Sequence, residues 1–244
     1  MGRVAGRTSS GSARHRRVGV AVTDRADAVD TATDELRSAH DALAELYAER
    51  LADVLDRTPA DRAVLGLFCD LLDEQNAGHV IGDIGCGSGR LTPFLRARGL
   101  RPHGVDLAPE MVRVARRDHP GTPFDVADVR KLPFADASLA GVVCWYSLMY
   151  LAPRDRPRAF AELARVLRPG GYLATAFKVG DDRLRRGGQR VGVAFDIYWH
   201  SPAWMERAVT TADFKVVFSA CRPADPEEDQ PQGYLIARRG PASP

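Results

Sequence analysis

Lysine is nearly absent from this chain. Of its 34 basic residues only Lys131, Lys178 and Lys215 are lysines, an arginine excess that reads as genomic bias rather than function. Cysteine is sparse too: Cys69, Cys86, Cys144 and Cys221 form no C-x-x-C pair. That argues against a disulfide framework or zinc knuckle and fits reduced thiols in a cytoplasmic protein. No apolar run approaches the roughly 18 residues of a membrane-spanning helix, and the Arg/Ser/Gly-rich start lacks the apolar core of a secretory signal. Acidic residues are missing from residues 1–23, which hold Arg3, Arg7, Arg14, Arg16 and Arg17. The rest carries 29 basic against 32 acidic residues, a net charge of −3. Its body is therefore not a basic nucleic-acid surface. Residues 1–25 are expected to be a disordered basic extension, a basic arm touching phosphate being the functional alternative.

What is present is a core. With 244 residues, 45% of them hydrophobic, the chain suffices for one α/β domain over 26–244. Ala26–Leu55 carries leucines in helical phase. Pro59 then opens a second helix over 61–73, at a first-turn position that tolerates it. These two segments predict an N-terminal helical cap, 26–75. Beyond it the pattern alternates: strands 80–84, 102–106, 122–126, 140–146 and 171–178, with helices 89–98, 109–118 and 154–167 between them. Such alternation predicts a parallel sheet covered on both faces. Residues 140–146 are almost wholly apolar, as a doubly buried strand should be. Arg168-Pro169-Gly170-Gly171 reads as a helix stop and turn. The tail predicts helix 202–212, then strands 214–220 and 233–238 joined by a short acidic loop, hence an antiparallel hairpin at one sheet edge.

The most informative stretch is Val80-Ile81-Gly82-Asp83-Ile84-Gly85-Cys86-Gly87-Ser88-Gly89. A β-prone run ends near an aspartate, and three alternating glycines lead toward a helix. Glycine permits positive φ and close ligand approach, and a strand turning into a helix N-terminus suits a nucleotide-like ligand. Gly85, Gly87 and Gly89 spell G-x-G-x-G. The dinucleotide fingerprint G-x-G-x-x-G and the P-loop Gly-Lys-Ser/Thr are both missing.

Asp83-Ile84-Gly85-Cys86-Gly87-Ser88-Gly89, then Gly104-Val105-Asp106, Ala127-Asp128-Val129 and Leu167-Arg168-Pro169-Gly170-Gly171 resemble, in order, the motifs of class I S-adenosylmethionine-dependent methyltransferases of the small-molecule type. The likeness covers about residues 36–239. It implies a three-layer, Rossmann-like α/β fold with a seven-stranded, mostly parallel sheet of order 3-2-1-4-5-7-6, strand 7 antiparallel. It also implies S-adenosyl-L-methionine as the cofactor. Gly85, Cys86 and Gly87 would lie against its methionine portion, with amides near Gly89 facing the carboxylate. Asp83 would accept from the ammonium, its other use being a helix cap. Asp106 would accept the ribose hydroxyls. Asp128, with Asp125 as competitor, and the Val129 amide would hold the adenine, against Leu107 and Met111; Met111 could equally be core. Trp145 and Tyr146 end the fourth strand, where aromatic faces suit a sulfonium cation or simply close the core. Tyr47 in the cap would reach over the cofactor.

The end of the fourth strand reads Cys144-Trp145-Tyr146-Ser147. It lacks the Asp/Asn-Pro-Pro-Tyr/Phe of base-amino methyltransferases, the aspartates of metal-dependent catechol enzymes, and the paired glutamates of arginine methyltransferases. A metal-independent reaction on a small molecule is expected, with secondary metabolites among the candidate acceptors. The methyl would pass by direct displacement to an oxygen, nitrogen or carbon nucleophile, largely through alignment. Candidates for a base are Tyr146 and His200, then Tyr150 and Lys178. Residues 179–200, glycine-rich and basic, predict a mobile lid or substrate insertion, although a solvated loop also fits. No membrane or nucleic-acid partner is expected, and the chain is expected to be a monomer or homodimer. The alternative reading is a protein of this fold that binds S-adenosylmethionine without methylating.

Overall fold

A computed structural model describes residues 1–2, 23–74 and 79–241. The basic stretch 3–22 lies outside the described residues, so the expectation of a disordered extension is not addressed. Strands β1 (Val80–Ile84), β2 (Arg101–Asp106), β3 (Phe124–Val126), β4 (Leu139–Trp145), β5 (Leu167–Lys178), β8 (Phe214–Arg222) and β9 (Gln232–Arg239) form one sheet. Its order is β3-β2-β1-β4-β5-β9-β8, with β9 antiparallel to both neighbours. This is the Rossmann-like order expected above. β1 lies between β2 and β4, all parallel, so Asp83 pairs in register with Gly104 on one side and Val143 on the other. The carboxyl ends of these strands consequently open on the same edge, where open α/β sheets bind ligands.

Alternating side chains divide the core between the two faces of the sheet. On one face Val143, Ala174 and Ala176 pack with Phe68 and Leu72 of α3 (Pro59–Glu74) and Leu95 of α4 (Thr92–Ala97). On the other, Val142, Cys144 and Leu173 pack with Phe160 and Leu163 of α6 (Arg156–Val166) and Met205 and Val209 of α7 (Pro202–Thr211). Every residue of β4 is buried, which explains its unbroken apolar run. A Cβ on Gly141 would come within 2.7 Å of the Phe68 ring, so that glycine admits α3 against the sheet.

α3 is thus a layer helix of the domain, and the cap proper is α1 (Thr23–Leu51) with the single turn α2 (Val54–Arg57). α1 lies against α5 (Pro109–Asp118): Glu45 accepts from Arg113 and Arg117 at 2.7–2.8 Å, and Asp41 caps the Glu110 amide at 2.8 Å.

Three of the differences from the sequence expectation bear on the surroundings of the site. α4 begins at Thr92, because Gly89, at φ +81, belongs to the preceding loop. α6 ends at Val166 and β5 starts at once; the predicted turn at 168–171 is an irregularity in that strand, between the pairs Leu139–Leu167 and Gly141–Tyr172, with Gly170 at φ +80. Residues 179–200 contain a two-stranded hairpin, β6 (Leu184–Gly187) against β7 (Phe195–Tyr198). Arg186 ties it to α1 through Glu35 and to its own partner strand through Asp196.

Candidate functional site

The loop after β1 is bound to β2 by its backbone. The amides of Gly85 and Cys86 both donate to the Val105 carbonyl, at 2.7 and 3.0 Å. Gly85, Gly87 and Gly89 all have positive φ, at +74, +56 and +81, but their surroundings differ. A Cβ on Gly85 would lie 2.3 Å from Ser147 Cβ, and one on Gly89 2.7 Å from the His119 ring. Those two glycines allow close packing. A Cβ on Gly87 would find nothing nearer than Met111 Sδ at 3.9 Å, so Gly87 alone of the three opens onto free space.

That space is a cleft of about 530 Å³, a volume suited to a cofactor or small ligand. Its walls bring together Tyr47, Gly85, Cys86, Gly87, Asp106, Leu107, Met111, Asp128, Val129, Trp145 and Tyr146. Asp106 accepts from the Gly87 amide at 2.8 Å with one oxygen and from the Ala108 amide at 2.9 Å with the other. Burial raises its pKa and these amides oppose the shift. Both oxygens of Asp128 accept from the Arg130 guanidinium, which also reaches Asp155 at 3.3 Å and Thr33 at 3.2 Å. Its competitor Asp125 pairs with His103 at 2.7 Å, outside the cleft.

Asp83 and Gly89 lie behind the wall rather than in it. Asp83 is 1% exposed, and its Oδ2 has no hydrogen-bond partner. Burial pushes its pKa up to about 7 against the pull of Arg90, with Asp106 adding to the rise. A carboxyl oxygen left alone at a loop–strand junction is costly, and a cationic group entering beside Gly85 would satisfy it. Burial likewise pushes the Cys86 thiol well above its ordinary value.

Tyr146 stands at the end of β4 with φ +61, its amide donating to Ala176 at 2.9 Å. Such a backbone costs about 1–3 kcal/mol and persists where the surroundings over-determine it. Burial, with Asp61 nearby, pushes its hydroxyl far above the usual tyrosine value, so free tyrosinate is not at hand. Burial does the same to Tyr150. Lys178 reaches the cleft half-buried, its pKa lowered by burial against Asp229 and Glu228.

His200 is placed elsewhere. Its backbone pairs with the end of β5, the amide donating to the Lys178 carbonyl at 2.8 Å. That pairing turns the ring inward, fully buried and stacked on Trp204 with centroids 4.5 Å apart, and Asp182 lies 3.4 Å from Nδ1. Burial pushes its pKa down to about 4. It does not line the cleft, so the structure gives it no contact with a ligand there.

Sequence reasoning missed one group altogether. Asp61 of α3, Tyr234 of β9, and Arg222 and Glu228 of the terminal hairpin all line or adjoin the cleft beside Tyr146. Asp61 stands at the start of the second expected helix, and no local pattern joins it to a tyrosine 173 positions away.

Residues 81–171 match the family model described as a methyltransferase domain. The chain is 36% identical over 102 residues to a malonyl-(acyl-carrier protein) O-methyltransferase of Serratia marcescens, covering 42% of this chain and 39% of that protein. It is 29% identical over 175 residues to the protein of the same name from Pectobacterium atrosepticum, covering 72% and 62%. Among solved structures, 1,6-didemethyltoxoflavin-N1-methyltransferase of Burkholderia thailandensis, with bound S-adenosylhomocysteine, superposes with a TM-score of 0.60. It is 21% identical and covers 92% of this chain and 93% of that one. Residues 81–171 thus carry a methyltransferase-domain match, and the sheet order and the structural likeness show the Rossmann-like fold. The two relatives are matched over less than two thirds of their own length.

Proposed function

We propose that the chain binds S-adenosylmethionine in the cleft and transfers its methyl group by direct displacement to a nucleophilic atom of a small molecule. The observation that carries this reading is the orphaned Oδ2 of buried Asp83 behind the Gly85–Gly87 cradle. An α-ammonium is a cation of the right kind for that oxygen, directly or through a water, and Gly87 borders open space in which the methionine portion would lie.

The remaining assignments follow from the cleft walls. Asp106, already held by two amides, would offer its free lone pairs to ribose hydroxyls. Leu107 and Met111 would form the apolar wall of the adenine pocket, with the Val129 amide and Asp128 at its polar edge. Arg130 fixes the Asp128 carboxylate in place. Tyr47 would close over the cofactor from α1, and Trp145 and Tyr146 would face its sulfur end. When bound, the cofactor supplies an electrophilic methyl on a sulfonium that is already a good leaving group. The protein's part is then chiefly alignment and exclusion of water, and well-oriented reactants gain on the order of 7–11 kcal/mol.

The relatives' names mention different acceptors, malonyl-(acyl-carrier protein) and 1,6-didemethyltoxoflavin, so the likeness selects none for this chain. Incubation with methyl-labelled S-adenosylmethionine and a panel of phenols, amines, sugars and carboxylic acids tests the reading. Label should move to at least one panel compound. A folded chain that binds the cofactor yet labels nothing would favour a binding protein that does not methylate.

A further inference from the structure

The carboxyl edge of the sheet divides the cleft into two halves on either side of β4. Gly87, Asp106 and Asp128 follow β1, β2 and β3, whereas Lys178, Gln232 and Arg222 stand at the ends of β5, β9 and β8. All six line the cleft. β9 lies three strands from β1, roughly 14 Å at the usual spacing of about 4.8 Å. A cofactor seated along Gly87, Asp106 and Asp128 therefore leaves the second half for another ligand.

In that half Gln232 pairs in register with Lys178 on one side and Arg222 on the other. The three side chains consequently share one face of the sheet, the face on which Tyr234 meets Asp61 of α3. Gln232 is 2% exposed, and its Nε2 donates to the Gln230 carbonyl at 3.0 Å. A carbonyl only accepts, so the orientation of the amide is fixed. Its Oε1 is left without a hydrogen-bond partner, which is unusual for a buried acceptor. Beside it the half-buried Lys178 ammonium makes no ion pair and no hydrogen bond among the described residues. The two carboxylates whose charge reaches it are engaged elsewhere. Both oxygens of Glu228 accept from Arg222 at 2.5 and 2.6 Å, and Asp229 lies 3.9 Å from Arg190.

We propose that the methyl acceptor is a carboxylic acid with a hydrogen-bond donor beside its carboxylate. Lys178 holds the carboxylate, and Gln232 Oε1 accepts from the donor, directly or through a water. This rests on the methyltransferase reading. A partly buried cation without a counter-ion calls for an anion. One uncommitted ammonium near Glu228 and Asp229 suits a single negative charge rather than the double charge of a phosphate. Gln232 Oε1 can only accept, so the group opposite it must be an O–H or N–H. Both side chains select the acceptor, and neither moves a proton.

The test is calorimetric titration of the full chain, saturated with S-adenosylhomocysteine, with three probes. Mandelate has the carboxylate and an adjacent hydroxyl, mandelamide lacks the charge, and phenylacetate lacks the hydroxyl. The wild-type chain should bind mandelate roughly tenfold more tightly than either of the others, the usual effect of losing one hydrogen bond to a charged or buried group. Lys178→Met should remove the preference over mandelamide and keep that over phenylacetate. Gln232→Leu should do the reverse, a pattern that a general loss of fold would not give. Lys178→Arg, which restores the charge, should recover most of the preference over mandelamide. No binding of mandelate, equal binding of mandelate and either analogue by the wild type, or a preference over mandelamide that survives in Lys178→Met would each overturn the proposal. Calorimetry of S-adenosylhomocysteine on the same samples separates the two claims. Cofactor binding without the acid preference defeats the acceptor assignment alone; absence of cofactor binding by the folded wild type defeats the methyltransferase reading beneath it.

Discussion

Asp106 Oδ2 accepts the Gly87 amide at 2.8 Å, locking the end of β2 to the glycine loop that follows β1. One carboxylate thereby shapes the cradle and faces the cleft. Asp106→Ala should weaken S-adenosylhomocysteine binding by roughly 1–3 kcal/mol, the cost of leaving polar partners unmatched. Calorimetry measures this, and unchanged affinity would remove Asp106 from the ribose role.

Gly85 and Gly87 should respond differently to alanine. At Gly85 the new Cβ collides with Ser147 at 2.3 Å and the φ is +74, so Gly85→Ala should lower stability sharply. At Gly87 only the φ of +56 is strained, because the space is open. Gly87→Ala should cost about 1–2 kcal/mol of stability while filling the cradle and abolishing cofactor binding. Urea unfolding alongside cofactor titration separates the two effects.

Asp83 should make cofactor affinity depend on pH. Its pKa in the folded protein is raised to about 7 from 3.8, so the carboxyl is largely neutral below pH 7 and cannot pair with an ammonium. Affinity for S-adenosylhomocysteine should therefore rise as pH increases through 7, and Asp83→Asn should flatten that dependence. The ligand-free protein should show the opposite sign in stability: a raised folded pKa stabilises at low pH, and that contribution is lost as pH rises through about 7. Melting and binding curves from pH 5.5 to 8.5 (a span chosen to bracket that value) test both signs.

His200 predicts an acid-side loss. Its folded pKa, about 4, lies below the ordinary 6.5, so the unfolded chain binds this proton more readily. The stability His200 contributes above pH 6.5 should fall as pH drops toward 4. His200→Phe, which keeps an aromatic ring on Trp204, should lose less across that window in urea titrations. Equal losses would contradict the buried neutral ring.

The strand and helix alternation was legible because apolar runs of period 2 and amphipathic segments of period 3.6 carry their own signatures. The sheet edge followed from β8 and β9 lying too close in sequence for a parallel crossover. Cap and layer were harder to separate. Nothing local distinguishes α1, which crosses the cleft, from α3, which fills the core through Phe68 against Gly141. The cleft residues carried by the glycine loop and strand ends lie together because each sits at the carboxyl end of a parallel strand. His200 escaped that logic, since the backbone pairing that turns it inward joins it to Val179, and sequence spacing does not encode that bridge. The Asp61–Tyr234 contact was invisible for the same reason.

A thermal shift with S-adenosylmethionine, S-adenosylhomocysteine and NAD, each in hundredfold excess over a binding-competent Kd, tests the cofactor assignment most directly. Both methionine-derived ligands should raise the melting temperature by roughly 5–10 °C and NAD should leave it unmoved. A melting temperature unaltered by either methionine-derived ligand, in a chain that is folded, would contradict it.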